Sequence, residues 1–267
     1  MSEKFTTEAQ RTQRDRGPEE ERPEGLDTAA GINAAFNSTG FAYSTGLKPE
    51  ASVVMPSRGR AQQAAECVER LLHASRGYRV EVIVVTDDAQ TFAATDNLAT
   101  RVILQRERTS APMAWHEGAA AARADVLVLG ADDLWFGHGW LGETLDRMAD
   151  FPDGEGLVGF NDLARDGNEL ATHWAVHRAF ARKRCGGALY PPCYQHFFGD
   201  NEMTARAKAA GRFTWAQFAL VEHRHPLFLK AELDGTYLEN GPRLEADRQL
   251  FAWRQEQGWP EAWEAAF

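Results

Sequence analysis

The sequence predicts an α/β fold built on a mostly parallel central sheet with helices on both faces. Three observations carry this. Short apolar runs of five or six residues recur along the first half of the chain. Helical stripes alternate with them, and each run ends in small or acidic polar residues. Strands alternating with helices imply parallel strands buried on both sides, with ligands bound outside their carboxyl ends.

Ala51-Ser-Val-Val-Met-Pro56 reads as a first strand, stopped by proline. Over 61–75 the apolar positions Ala64, Ala65, Val68, Leu71 and Leu72 make a helical stripe, closed by Gly77. Val80–Val85 is a second strand ending in Thr86-Asp87-Asp88, and 101–105 is a third. An alanine-rich helix over 113–122 leads to a fourth strand, Asp125–Gly130, which ends in Ala131-Asp132-Asp133. Further on, 156–160 and 213–221 suit strands, 201–210 a short helix ended by Gly211, and 243–257 a C-terminal helix. Residues 1–28 are too polar to offset their ordering entropy and are expected to form a disordered tail. Residues 29–50, with Phe36, Phe41 and Tyr43, read as an irregular arm. One catalytic domain over 51–229 and a C-terminal helical extension over 230–267 complete the expected organisation.

Composition excludes several classes. At 267 residues, with 43% hydrophobic and 25% charged side chains, the chain can bury a full globular core. A net charge of −10 argues against a general nucleic-acid coat, and Arg182-Lys183-Arg184 reads as a solvated turn. The three cysteines, Cys67, Cys185 and Cys193, show no CxxC spacing; buried or half-buried free thiols are expected. No apolar run approaches the roughly 20 residues that cross a bilayer. The N-terminus lacks the apolar core of a secretory signal, so the cytoplasm is the expected compartment.

Four constellations can carry chemistry. Asp132-Asp133 at a strand end can bind a hard cation, with a diphosphate supplying further oxygens. Val221-Glu222-His223-Arg224-His225 follows a strand, and a neutral imidazole can complete the coordination of Mn²⁺ or a similar ion. In Phe197-Phe-Gly-Asp-Asn-Glu202, Asp200 can deprotonate an acceptor hydroxyl or simply cap the following helix. Pro56-Ser57-Arg58-Gly59-Arg60 suits close approach to a base, ribose or phosphate. Aromatic residues of 185–199 (Tyr190, Tyr194, His196, Phe197, Phe198) suit stacking on a sugar ring or base, and equally a core or lid.

Taken in order, these pieces resemble the family-two glycosyltransferases of the GT-A, Rossmann-like fold. Ser52-Val-Val-Met-Pro-Ser-Arg-Gly-Arg60 resembles that family's opening strand, and Glu81–Asp88 its second strand and acidic turn. Ala124–Asp133 is similar to the strand leading to the metal-binding Asp-x-Asp motif. Phe198–Arg206, closed by Gly211, resembles the segment that holds the catalytic base. His223 falls where many members carry a metal-binding histidine.

The resemblance implies an inverting transfer from a nucleotide-diphosphate sugar, UDP by family habit, to an acceptor hydroxyl. Pro56, Ser57, Arg58, Asp87, Asp88 and Asp132 would then bind the nucleotide. Asp132, Asp133, His223 and His225 would hold a divalent Mn²⁺ or Mg²⁺. Asp200 would be the general base, and Trp135, His196 and Phe197 would meet the acceptor. That acceptor is a saccharide, a small molecule, a protein or a hydroxylated nucleobase in DNA. Three positions depart from the family pattern: Gly130 replaces the first acid of the metal motif, and Gly199 the Glu before the base. Trp115-His116-Glu117-Gly118 stands where many members have Arg-Asn before the glycine.

Two other readings remain open. A nucleotidyltransferase acting on a sugar phosphate would share the sheet, but it would need a longer, lysine-bearing glycine loop than residues 56–60 provide. A non-catalytic nucleotide-sugar-binding module would keep the fold without the chemistry.

Overall fold

A computed structural model of the chain describes residues 47–163, 170–260 and 263, all within one compact unit, Thr39–Phe267. The expected tail over 1–28 lies outside the described residues, as does the arm except for 47–50.

β1 (Ala51–Pro56), β2 (Val80–Thr86), β3 (Arg101–Leu104) and β4 (Val126–Leu129) form a parallel half-sheet in the order β3-β2-β1-β4. Every residue of β2 and β4, and all of β1 except its last, is buried, which explains their unbroken apolar runs. The exceptions within these strands are paired. Ser52 donates to buried Glu81 at 2.5 Å, and Arg123 closes the same carboxylate at 2.9 Å.

The second half continues the sheet with mixed pairing. β7 (Trp174–His177) inserts antiparallel beside β4, and β6 (Leu157–Asn161) runs antiparallel to β7. β8 (Phe213–His223) lies parallel to β6, and β5 (Leu134–Phe136) closes the edge antiparallel to β8. The eight strands run in the order β3-β2-β1-β4-β7-β6-β8-β5.

Alternate sheet residues, among them Val54, Ile83, Val85, Leu127 and Leu129, form one apolar cluster with several helices. These are α3 (Ala111–Ala121), α5 (Arg178–Arg184), α6 (Gly199–Ala209) and α8 (Leu244–Glu256). Val53, Met55, Val82 and Val84 turn the other way, as strand geometry requires, and are equally buried. α1 (Ala61–Ala74) and α4 (Trp140–Ala149) add nothing to the first cluster. They join each other through Trp140 and Ser75 (3.1 Å), and α4 packs along β6 and β8. α2 (Ala89–Thr95) and α7 (Gly235–Asn240) are short, each capped by an aspartate, Asp88 and Asp234.

Several expectations are refined. The basic triplet 182–184 forms the last turn of α5, where cations suit the helix dipole, and Lys183 pairs with Glu155 at 2.6 Å. Cys67 and Cys185 are buried and Cys193 half-buried, all free. The C-terminal helix docks into the domain: Leu250 of α8 joins the main core. No helix among the described residues is long and apolar enough to cross a membrane.

Candidate active site

The carboxyl ends of the parallel strands build the floor of the site. Ser57 N–H continues the ladder to Val85 O (3.0 Å), and Gly130 N–H does so to Val54 O (2.9 Å). These bonds bring Pro56-Ser57-Arg58, Asp87 and Asp132-Asp133 to one rim, around a cavity of about 550 Å³. His196, Phe197, Asp200, His223 and His225 line the same cavity from the second half of the chain.

The two adjacent aspartates have different partners. Asp132 accepts from Ser57 Oγ (2.7 Å) and Arg60 Nη1 (3.0 Å). Burial, and then the neighbouring Asp133 carboxylate, push Asp132 up to about 6 against the pull of Arg60. Asp133 meets His223 Nε2 at 3.3 Å and accepts from the Tyr237 hydroxyl at 2.9 Å, both on Oδ2. Burial works to raise its pKa, yet the hydrogen bond and charge of His223, backed by His173 and Tyr237, hold it well below the usual carboxylate range.

Strand register explains how His223 arrives there. β5 pairs with β8 so that Leu134 lies opposite His223, and Arg224 N–H bonds to Asp133 O at 2.8 Å. His225 is turned to another use, accepting the Leu227 N–H on Nδ1 (3.1 Å) and capping a short 3₁₀ turn.

These groups fit a divalent cation in part. Asp133 Oδ2 and His223 Nε2 face each other at 3.3 Å, a carboxylate beside an imidazole of the kind Mn²⁺ takes, while Asp133 Oδ1 and His223 Nδ1, on the other sides of these groups, are buried without a hydrogen-bond partner. Among the described residues, however, no group of three or more His, Cys, Asp or Glu is placed to hold a metal. Asp133 and His223 are the pair that could hold such a cation.

Gly130, where the resemblance leads to an expected acid of the metal motif, is closely packed. A Cβ on Gly130 would lie 2.8 Å from Val53 Cγ1 and 3.0 Å from Val54 O. β1 thus leaves no room for a side chain there, and Trp115 Nε1 donates to the Gly130 carbonyl at 2.8 Å instead.

The loop before α6 is held from two directions. Tyr190, stacked on Trp115 at 4.9 Å, donates its hydroxyl to His196 O (2.8 Å) and accepts from Gly199 N–H (3.0 Å). Asp247 of α8, itself buried, accepts the successive N–H groups of Gln195, His196 and Phe197 at 2.8 Å each. Phe198 then takes a left-handed conformation, φ 67°, which is strained for a bulky residue. It stands as N-cap, so Asp200 lies in the first turn of α6 rather than capping it.

At Gly199, where the resemblance leads to an expected Glu, a Cβ would fall 2.2 Å from the Tyr190 ring. Gly199→Ala is therefore expected to cost about 1–3 kcal/mol through overpacking. Chemical denaturation checks this, and an unchanged midpoint would refute the close-packing account.

Two expected site residues are not brought to the cavity. Asp88 is committed to capping α2, accepting from Gln90 and Thr91 N–H at 3.1 Å each. Trp135 lies between the guanidiniums of Arg70 (4.0 Å) and Arg224 (3.8 Å), in an adjoining hollow that also reaches Arg60 and Asp132.

The structure adds residues that sequence reasoning missed. His173 is buried edge-on to His223 (4.7 Å), and burial lowers its pKa to about 3. Arg60, within the 56–60 motif expected to approach a base, ribose or phosphate, bonds to Asp132 at 3.0 Å. Residues 234–243 pass over the cavity. Asp234 grips Arg60 (2.7 and 2.8 Å), Tyr237 reaches Asp133, Glu239 pairs with Arg58 and Arg108, and Asn240 approaches His196. Nothing in the local sequence there marks a site; only its long-range partners do.

The family model described as Glycosyl transferase family 2 matches residues 52–199. Among solved structures, the mannosyltransferase PcManGT from Pyrobaculum calidifontis, in complex with GDP-Man and Mn²⁺, is similar in fold. It is 17% identical with a TM-score of 0.55, over 74% of this chain and 68% of that one. TarS of S. aureus is 14% identical with a TM-score of 0.48, over 64% of this chain and 36% of its own. No curated protein sequence matches the chain.

Proposed function

The chain belongs to glycosyl transferase family 2 and is a glycosyltransferase of the GT-A fold, and from that premise we propose a metal-assisted, inverting sugar transfer from a nucleotide-diphosphate donor to an acceptor hydroxyl. The observation that carries this reading is the convergence of Asp133, His223 and Asp200 on one cavity at the carboxyl edge of the sheet.

In this reading Asp200 takes the proton of the acceptor hydroxyl as its oxygen attacks the anomeric carbon. The bond from that carbon to the diphosphate breaks, and the nucleoside diphosphate leaves with the electron pair. Asp133 and His223 would hold Mn²⁺ or Mg²⁺, which when bound neutralises charge on the leaving diphosphate. Asp132, tied to Ser57 and Arg60, orders the first strand's turn around the nucleotide. Arg58 and Asp87, 3.3 Å apart, face the nucleoside end. His196 and Phe197 border the acceptor.

The Pyrobaculum enzyme's GDP-Man and Mn²⁺ support the donor class and the cation, while family habit favours UDP. A panel of UDP- and GDP-sugars with Mn²⁺ therefore tests the reading, followed by nucleoside diphosphate release. One donor is expected to turn over and to lose turnover with a chelator. Absence of both binding and release across the whole panel would overturn it. Binding with no turnover, under any acceptor and unaffected by Asp200→Asn, would make the chain a non-catalytic nucleotide-sugar-binding module.

A further inference from the structure

Arg60 lies in the cavity wall with its side chain only 8% exposed. It faces Asp132 with Nη1, lies over the Tyr237 ring at 4.4 Å, and offers Nε and Nη2 to the two oxygens of Asp234. That parallel two-point grip is the geometry a guanidinium also offers to phosphate.

Asp234 comes from the strap over residues 234–243, beyond the segment matched by the family. The strap meets the site through polar side chains: Asp234 on Arg60, Tyr237 on Asp133, Glu239 on Arg58 and Arg108, and Asn240 near His196. Its apolar residue Leu238 and the preceding Leu233 face solvent, each 62% exposed. Ion pairs, hydrogen bonds and the Tyr237 ring on Arg60 and His225 hold the strap there, and an anion can replace the carboxylates of Asp234 and Glu239 on their arginines.

We propose that Arg60 binds the diphosphate of the donor, and that Asp234 occupies its place in the free protein as an anion supplied by the chain itself. This rests on the nucleotide-sugar reading above. An arriving diphosphate takes the guanidinium from Asp234, whose side chain, 41% exposed, turns to water at little cost. Release of the strap also withdraws the Tyr237 hydroxyl from Asp133 Oδ2.

Asp234→Asn isolates the charge. Asparagine caps α7 as aspartate does, accepting from the N–H groups of Thr236 and Tyr237, so the strap keeps its fold. Titration calorimetry with UDP and with GDP, each with Mn²⁺, is expected to give about fivefold tighter binding to Asp234→Asn than to the unaltered chain. Arg60→Gln and Arg60→Lys should bind about 10- to 100-fold more weakly. Adding Asp234→Asn to Arg60→Gln should then change nothing.

Equal or weaker binding by Asp234→Asn, or undiminished binding by both Arg60 variants, overturns the proposal and leaves the donor reading standing. Absence of binding by every protein, the unaltered chain included, removes the donor reading and this proposal with it.

Discussion

Asp200→Asn is expected to lower sugar transfer by about 100- to 10,000-fold, with nucleotide binding changed by less than about twofold. The substitution keeps the shape of the side chain and removes its capacity to take a proton. Asp200 lies in the first turn of α6, behind a left-handed Phe198 and a Gly199 pinned to the Tyr190 hydroxyl. None of these supports depends on its charge. Turnover with the active donor, set beside the dissociation constant of the nucleoside diphosphate, makes the measurement. Equal losses in binding and turnover would assign Asp200 to the donor site rather than to proton transfer.

Glu202→Gln is expected to cost about 3–5 kcal/mol of stability, the largest single effect on folding. Glu202 is fully buried and accepts from Arg206 (2.8 Å), from Arg254 at two points (2.8 and 3.0 Å) and from the Tyr194 hydroxyl (2.7 Å). The Arg254 side chain is wholly buried, so a neutral partner leaves its charge without compensation in a medium that screens it poorly. This one carboxylate joins α6, α8 and the loop before α6, so the loss should reach the site. Thermal or urea unfolding measures it. Changing Glu202, Arg206 and Arg254 together to Met should cost less than Glu202→Gln alone, since it removes both stranded guanidiniums as well as the bonds. A loss under about 1 kcal/mol for Glu202→Gln would show that the cluster is not held by charge.

The local supports explain what could be read in advance. β2 and β4 are buried from end to end and β1 in all but its last residue, and long apolar runs with polar stops are visible in a sequence without knowledge of any partner. β5 and β7, with three and four residues, carry no period of their own and exist because β8 and β4 accept them as antiparallel neighbours. Asp247 illustrates the same limit on the functional side. In the chain it is an acidic residue in the first turn of a helix, well suited to the dipole. In space it closes three successive N–H groups of a loop some fifty residues earlier.

The sequence by itself determined which residues stand at the carboxyl edge of the parallel strands, because strand length, alternation and stop residues are local properties. It therefore placed Ser57, Asp87, Asp132 and Asp133 on one rim and pointed to His223 and Asp200 as their company. Only the tertiary structure decided how those groups divide the work. Asp132 and Asp133 are neighbours of the same chemistry, and they differ because Ser57 and Arg60 engage one while His223 and Tyr237 engage the other. Ionisation, orientation and spare coordination depend on partners scores of residues away, and such partners are fixed by packing rather than by spacing along the chain.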